Sequence, residues 1–432
     1  MDFLAIGPLV KVGLVFFGLV LLLRVGVQIG LALTLGGLGL GFSFGMDPLG
    51  MARTMIHSVG EIRALGLLCA ISLIHLMSSL MERAGLNQGL IDALKGRGRS
   101  PSWKMVILPA LVGLLPMPGG AYFSAPMLDG FDLRRNVSPA LKSVLNYWFR
   151  HIWEYWWPLF PAVLLTCKIA NIEVWKFSLA GFPMTWVAMG AGLPLLARLP
   201  KALDHPVASH PGQKKGSLWQ PLLPMMVAII PGVFLSPLVA LATGSSILAQ
   251  ASREASLSLG LLLAILIIWA SRLRGMRAFR PVLFDGRLPR MWVTIAGVLC
   301  FKAVMEESGA AAQLSLELSR LHVPKEMIAI VLPLTIGILS GLPIAFVGTC
   351  LPVVLSMERG SGVEGMAIPW IVLTFVSGFV GTLLAPTHLC LVLSNEYFGT
   401  SYREVCRFLL LPCMLLMAGG IGYFAILRAM AQ

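Results

Sequence analysis

The sequence predicts an all-α polytopic membrane protein, with about 10 transmembrane helices plus two re-entrant hairpins in two inverted-topology repeats. Three observations carry that prediction. Only 12% of the 432 residues are charged and 57% are hydrophobic, whereas a soluble domain carries about 25% charged residues. Apolar runs recur at lengths suited to a hydrocarbon core of about 30 Å, which takes about 20 residues of helix to cross. Motifs of the first half also return in the second in a common register. The scarcity of charge alone excludes a water-soluble enzyme, a nucleic-acid binder and a disordered chain.

In chain order, the runs lie near 8–24, 27–45, 62–81, 139–165, 176–197, 219–243, 255–271, 291–305, 367–395 and 404–428. The N-terminus carries Asp2 and no small-residue cleavage site, so it reads as an uncleaved first helix. The net charge of +13 comes from Lys and Arg in the short connections, such as Lys95, Arg97 and Arg99, and Arg272, Arg274, Arg277 and Arg280. Those connections belong on the cytoplasmic side of the inner membrane. The polar stretch 201–217 is a cytoplasmic linker between an N-terminal repeat, 1–200, and a C-terminal repeat, 218–432. The seven cysteines are scattered and never paired as CxxC, so they read as core residues rather than a disulfide framework or zinc site. The glycines Gly36, Gly37, Gly39, Gly41 and Gly45 lack the context of a phosphate loop and point to close helix packing.

A shift of 224 residues aligns MERAG (81–85) with MEESG (305–309) and LPALVGLL (108–115) with LPLTIGIL (332–339), with 10 identities in the 41 positions from 81. The connection after MERAG is basic, and the one after MEESG holds Glu306, Glu307 and Glu317 against Arg320 and Lys325. Matched connections of opposite character indicate repeats inverted across the membrane. Each repeat contains an apolar stretch crowded with Pro and Gly, 104–128 and 325–356. Proline removes a backbone donor and clashes with the preceding turn, and freed backbone groups cannot face lipid. Each stretch therefore reads as a re-entrant hairpin, the first with its tip at Pro116–Gly120. Tip amide groups would bind an anion, which makes Pro118, Gly119, Gly120, Ser124, Pro343, Gly348 and Thr349 candidate substrate-binding residues.

Ionisable groups lie inside two of the runs. Asn146, Arg150 and Glu154 recur at i, i+4, i+8, one helical face, beside His151 and ahead of Pro158 and Pro161. In the second half Pro386 is followed by Thr387, His388, Asn395 and Glu396, and Pro158 aligns with Pro386 at a shift of 228. Charge at membrane depth is costly, about 2.5–3.5 kcal/mol per ion on insertion scales, and marks a polar cavity. Asn146, Arg150, Thr387 and His388 are therefore candidates for substrate binding. His151, Glu154, His388, Asn395 and Glu396 are candidates for ion or proton coupling. His151-x-x-Glu154 has metal-compatible spacing but no second ligand pair nearby in the chain, so no metal is expected.

The runs LPMPGGAYFSAPML, NYWFRHIWEYWWP and APTHLCLVLSNEYF resemble an uncharacterised prokaryotic integral-membrane family, domain of unknown function 401, placed loosely with the ion transporter superfamily. The resemblance spans most of the chain. It implies a two-repeat carrier with paired hairpins and broken helices, like dicarboxylate and citrate carriers that hold a carboxylate and sodium with Ser-Asn-Thr motifs at the tips. Here the tips read PMPGG and SGLPI, and Glu396 follows Ser394-Asn395 where Thr would stand.

These readings converge on a secondary transporter working by alternating access. Its substrate is an anion bearing carboxylate or phosphate, coupled to protons or sodium, with no cofactor. The partners are membrane lipid and the small anion, with no nucleic acid, and a homodimer is left open. A flippase for a lipid-linked anion, received by the Trp-rich run around Arg150, is the alternative. An intramembrane enzyme would have only Ser124 or Thr387 as nucleophile, so no enzymatic activity is expected.

Overall fold

Proline sets where many helices begin. Its fixed φ suits the first helical turn, where its missing N–H costs nothing, and it opens seven of the helices described below. The computed structural model describes residues 7–86, 101–114, 120–132, 136–200, 219–243, 246–273, 287–359 and 367–431, and these are helical without strands. The linker 201–217, the basic residues 274–286 and the tip residues 115–119, with Pro118 and Gly119, lie outside the described residues.

The first half contains α1 (Pro8–Arg24), α2 (Ile29–Ser43), α3 (Pro48–Gly60), α4 (Ile62–Arg83), α5 (Pro101–Gly113), α6 (Ala121–Asp129), α7 (Pro139–Arg150), α8 (Pro161–Ala170), α9 (Val174–Gly181) and α10 (Pro183–Leu196). The second contains α11 (Trp219–Thr243), α12 (Ser246–Ile268), α13 (Arg287–Glu307), α14 (Ala310–Arg320), α15 (Lys325–Ser340), α16 (Pro343–Arg359), α17 (Ala367–Leu383), α18 (Leu389–Phe398) and α19 (Tyr402–Ala431). Helix α3 was not expected. Arg53, His57 and Ser58 make it too polar for a span, and it lies beside α13 with Asp47 accepting the Gly50 N–H at its start.

Among the described residues five helical stretches, such as 64–83 and 402–431, are long and apolar enough to cross a membrane. The outer helices turn large apolar side chains outward, as Phe17 on α1 (61% exposed) and Met414 on α19 (60%) show, while Arg150, His151 and Asn146 are buried. Apolar outside and polar inside is the pattern of a chain solvated by lipid. The protein is a multi-pass membrane protein.

Two central helices are enclosed all round: α7 is buried from Ala140 to Arg150 and α17 from Pro369 to Leu383. Each ends in a break. Helix α7 stops at Arg150, and turns carry the chain to Pro161 at the start of α8. Helix α17 stops at Leu383, and residues 384–388 lead to α18. The two Pro/Gly-rich stretches are also pairs of helices packed on one another, α5 with α6 and α15 with α16. In the second pair the turn is made by Gly341, φ +64°, a conformation that L side chains rarely adopt. The halves interlock, because α7 packs on α18 and α8 on α16.

The matched motifs end helices alike. Gly85 after α4 and Gly309 after α13 have φ of +66° and +67°. The glycine stripe of α2 lies on α13, where a Cβ on Gly30 would overlap the Val293 backbone and one on Gly297 would overlap Gly30. Within the stripe itself only Gly37 faces that backbone, at Phe301, while Gly36 and Gly41 make room for the Leu19 and Met51 side chains and Gly39 meets nothing within 4 Å.

The start of α7 is clamped ionically. Lys142 Nζ lies 2.7 Å from both Asp129 at the end of α6 and Asp132 in the connection. Asp132 also accepts the N–H groups of Asn136 (2.9 Å) and Val137 (3.1 Å). Burial raises its pKa, but Lys142 and the two N–H groups outweigh burial and hold the carboxyl below its ordinary value. A lowered folded-state pKa stabilises the fold above the unfolded value, and the contribution is lost as pH falls through the folded value. Asp132→Asn should cost about 1.5–3 kcal/mol at neutral pH, the range for hydrogen bonds to charged groups. In melting curves of the detergent-purified protein, the gap to wild type should close below pH 4, on the order of the unperturbed carboxylate pKa.

Candidate functional site

Arg150, the last residue of α7, is 4% exposed. Its guanidinium stands against Gly120 at the start of α6, where a Cβ would collide with Nη1, Nη2 and Cζ. Gly120 is a glycine because the guanidinium occupies that space. A Cβ on Gly113, at the end of α5, would likewise strike the Arg150 carbonyl. The cation is thereby placed at the break between α5 and α6.

His151 follows as the first residue after α7. Its Nδ1 lies 2.6 Å from the Tyr147 carbonyl, and its Nε2 lies 3.6 Å from Glu154 Oε1. The second break supplies His388, whose Nδ1 lies 2.8 Å from the Gly341 carbonyl and whose Nε2 lies 3.2 Å from His151 Nε2. Gly341 is pressed against this break too, since a Cβ there would meet Thr387 Oγ1 and His388 N. Cys390 completes a buried group in which one ligand atom each from His151, His388 and Cys390 lie within 4.8 Å of one another. Tyr147 packs its ring on both imidazoles, with centroids 4.6 and 5.5 Å away, and donates its O–H to the Leu383 carbonyl at 3.2 Å.

A polar spine continues down α7. Asn146 accepts from Ser124 Oγ on α6, and its Nδ2 donates to the Ala121 carbonyl (2.9 Å) and to Ser394 Oγ on α18 (2.7 Å). Both amide hydrogens are spent inside the protein, so Asn146 joins three helices. Ser143 donates to Asn395 Oδ1 at 2.6 Å.

Of the residues selected from sequence, the fold gathers Gly120, Ser124, Asn146, Arg150, His151, Glu154, Thr387 and His388. Pro343 opens α16 just after Gly341. Gly348 faces Val298 of α13, where a Cβ would clash, and Thr349 donates to the Ala345 carbonyl within its own helix. Asn395 and the exposed Glu396 lie seven and eight residues beyond His388, about 10–12 Å along α18 at 1.5 Å per residue. The face drawn through Asn146, Arg150 and Glu154 needs a correction. Regular helix ends at Arg150, because the run into Pro158 and Pro161 cannot keep the helical ladder, and Glu154 reaches His151 from a turn.

Sequence reasoning missed Tyr147 and Cys390. Tyr147 precedes His151 by one helical turn, a spacing that signals contact. Cys390 stands two residues past His388, and only the fold shows that it faces His151. The Trp run is also more internal than its composition implies: Trp153, Trp156 and Trp157 donate to the Ala110 carbonyl, Thr185 Oγ1 and the Leu114 carbonyl.

A family model described as protein of unknown function (DUF401) matches residues 10–426. The chain belongs to this family. A search of curated proteins finds no match. Among solved structures, the fold of this DUF401 protein is similar to the crystal structure of the Alcanivorax borkumensis YdaH transporter, described as having an unusual topology. The TM-score is 0.57 at 15% identity, covering 89% of each chain.

Asn146→Ala should leave Ser124, Ser394 and the Ala121 carbonyl without their partner, at about 1–3 kcal/mol for each buried group not rescued by water. The expected outcome is a lowered melting temperature in detergent, with Asn146→Gln no better because its longer side chain does not fit the same three bonds.

Proposed function

We propose that this protein is a secondary transporter of the inner membrane that moves a small anion bearing carboxylate or phosphate by alternating access, driven by a proton or sodium gradient. One observation carries the reading: a buried guanidinium is held at a helix break, at the place where two interrupted helices from opposite halves of the chain meet. Arginine presents a planar fork of donors that matches carboxylate and phosphate oxygens bidentately. Broken helices expose main-chain groups for substrate and ion near mid-membrane. The substrate anion binds Arg150, the main-chain amides at the two hairpin tips, and His388. The fold shared with the YdaH transporter supports the class, and the matched left-handed ends at Gly85 and Gly309 support the repeat.

The halves are inverted repeats, 1–200 and 218–432, in which 104–128 and 325–356 are re-entrant hairpins entering from opposite faces. Cysteines introduced as R97C and R320C should react with an impermeant thiol reagent from opposite sides of the membrane. Labelling from one side would overturn the inverted arrangement.

A thermal-shift screen of the purified protein against organic acids and phosphates, with and without sodium, should identify a stabilising anion, since a ligand that prefers the folded state raises apparent stability. Arg150→Ala should weaken that binding at least about 30-fold, on the order of the 2–5 kcal/mol lost when one partner of a buried charge pair is truncated. Arg150→Lys should recover little of it, and His388→Ala should weaken it more mildly. Full binding by folded Arg150→Ala and His388→Ala proteins would overturn the reading.

A further inference from the structure

We propose that His151, His388 and Cys390 form a binding site for a zinc-class transition-metal cation. The inference stands on the geometry of these groups and not on the substrate reading above.

His151 Nδ1 lies 2.6 Å from the Tyr147 carbonyl and His388 Nδ1 lies 2.8 Å from the Gly341 carbonyl. A carbonyl oxygen only accepts, so each Nδ1 carries the hydrogen. In neutral imidazole the other nitrogen then holds a lone pair. The two Nε2 atoms lie 3.2 Å apart, which sets lone pair against lone pair in a buried site. That arrangement is repulsive unless an electrophile, a proton or a metal ion, lies between them, and the spacing and the third ligand decide which. The same arrangement is the one found in metal sites, where a ligating His donates its other N–H to a backbone carbonyl, which fixes the ring.

The spacing fits a metal. Zinc binds His nitrogen at about 2.0–2.1 Å, so two such ligands on a tetrahedral ion are separated by about 3.3 Å. The third group is a sulfur: one ligand atom each from His151, His388 and Cys390 lie within 4.8 Å of one another, and all three residues are buried. Glu154 Oε1 lies 3.6 Å from His151 Nε2 but outside this three-residue group, so its charge stands beside the site without being one of the three ligands. Two imidazoles and a thiolate favour zinc-class ions, whereas magnesium and calcium take oxygen. On binding, the metal replaces the thiol proton of Cys390, which leaves to solvent.

Titration of the chelator-stripped, reduced, detergent-purified full chain with Co2+ tests this. One equivalent should produce visible ligand-field bands and a near-ultraviolet thiolate-to-cobalt charge-transfer band, both abolished by added Zn2+. Cys390→Ala should remove the charge-transfer band, His388→Ala should weaken binding at least 10-fold, and Cys300→Ala, a buried cysteine on α13, should change neither. A wild-type protein that shows no charge-transfer band overturns the proposal without reliance on any variant. So does a band that survives Cys390→Ala, whereas loss of anion binding in Arg150→Ala leaves the metal result untouched.

Discussion

A helix that stops inside a bilayer leaves its last carbonyls without partners, and no water is at hand to satisfy them. This chain stops two central helices inside the protein and turns the two ends on each other. The carbonyls so released are the ones the side chains of the centre bind. The Tyr147 carbonyl, in the last turn of α7, meets His151 Nδ1. The Leu383 carbonyl, at the end of α17, accepts from the Tyr147 hydroxyl. The Gly341 carbonyl, in the turn between α15 and α16, meets His388 Nδ1. Three interruptions are thus satisfied by one aromatic and imidazole cluster, and each ring is oriented by the backbone it satisfies.

The same economy explains how α7 can be polar and yet wholly buried. Along it, Lys142 is held by Asp129 and Asp132, Ser143 by Asn395, and Asn146 by Ser124, Ala121 and Ser394. A buried polar group costs free energy only when its hydrogen bonds are missing. The partners come from α6 and α18, so the polar residues also fix how those two helices lie against α7. Arg150 at the far end is the one strong cation of this spine directed at a helix break.

Much of this was legible in the sequence because breaks have a chemical signature. Clustered Pro and Gly in apolar runs marked both interrupted helices and both helix pairs, and charged residues beside those breaks marked Arg150, His151 and His388. The MERAG and MEESG motifs marked two helix ends of the same geometry. What could not be read was contact between the halves. Cys390 looks like one more core cysteine until α18 is set on α7, and the His151–His388 pair joins residues 237 positions apart. Glu154 falls off the face shared by Asn146 and Arg150 because the helix ends at Arg150, and a helical face exists only while the helix lasts. Helix α3 escaped notice because its Arg and His residues put it outside the apolar pattern that identifies a span.

The two halves place their breaks alike but fill them differently. The first contributes Arg150, His151 and Glu154, and the second contributes Thr387, His388 and Cys390, so the groups that meet are unlike. Two arginines facing each other across such a centre would repel and leave both poorly solvated. Unlike side chains therefore turn two backbone interruptions into one composite centre, with a guanidinium on one side and a nitrogen and sulfur cluster beside it. A backbone interruption can recur, but the groups that meet at it must be unlike for a buried charge to find a partner there.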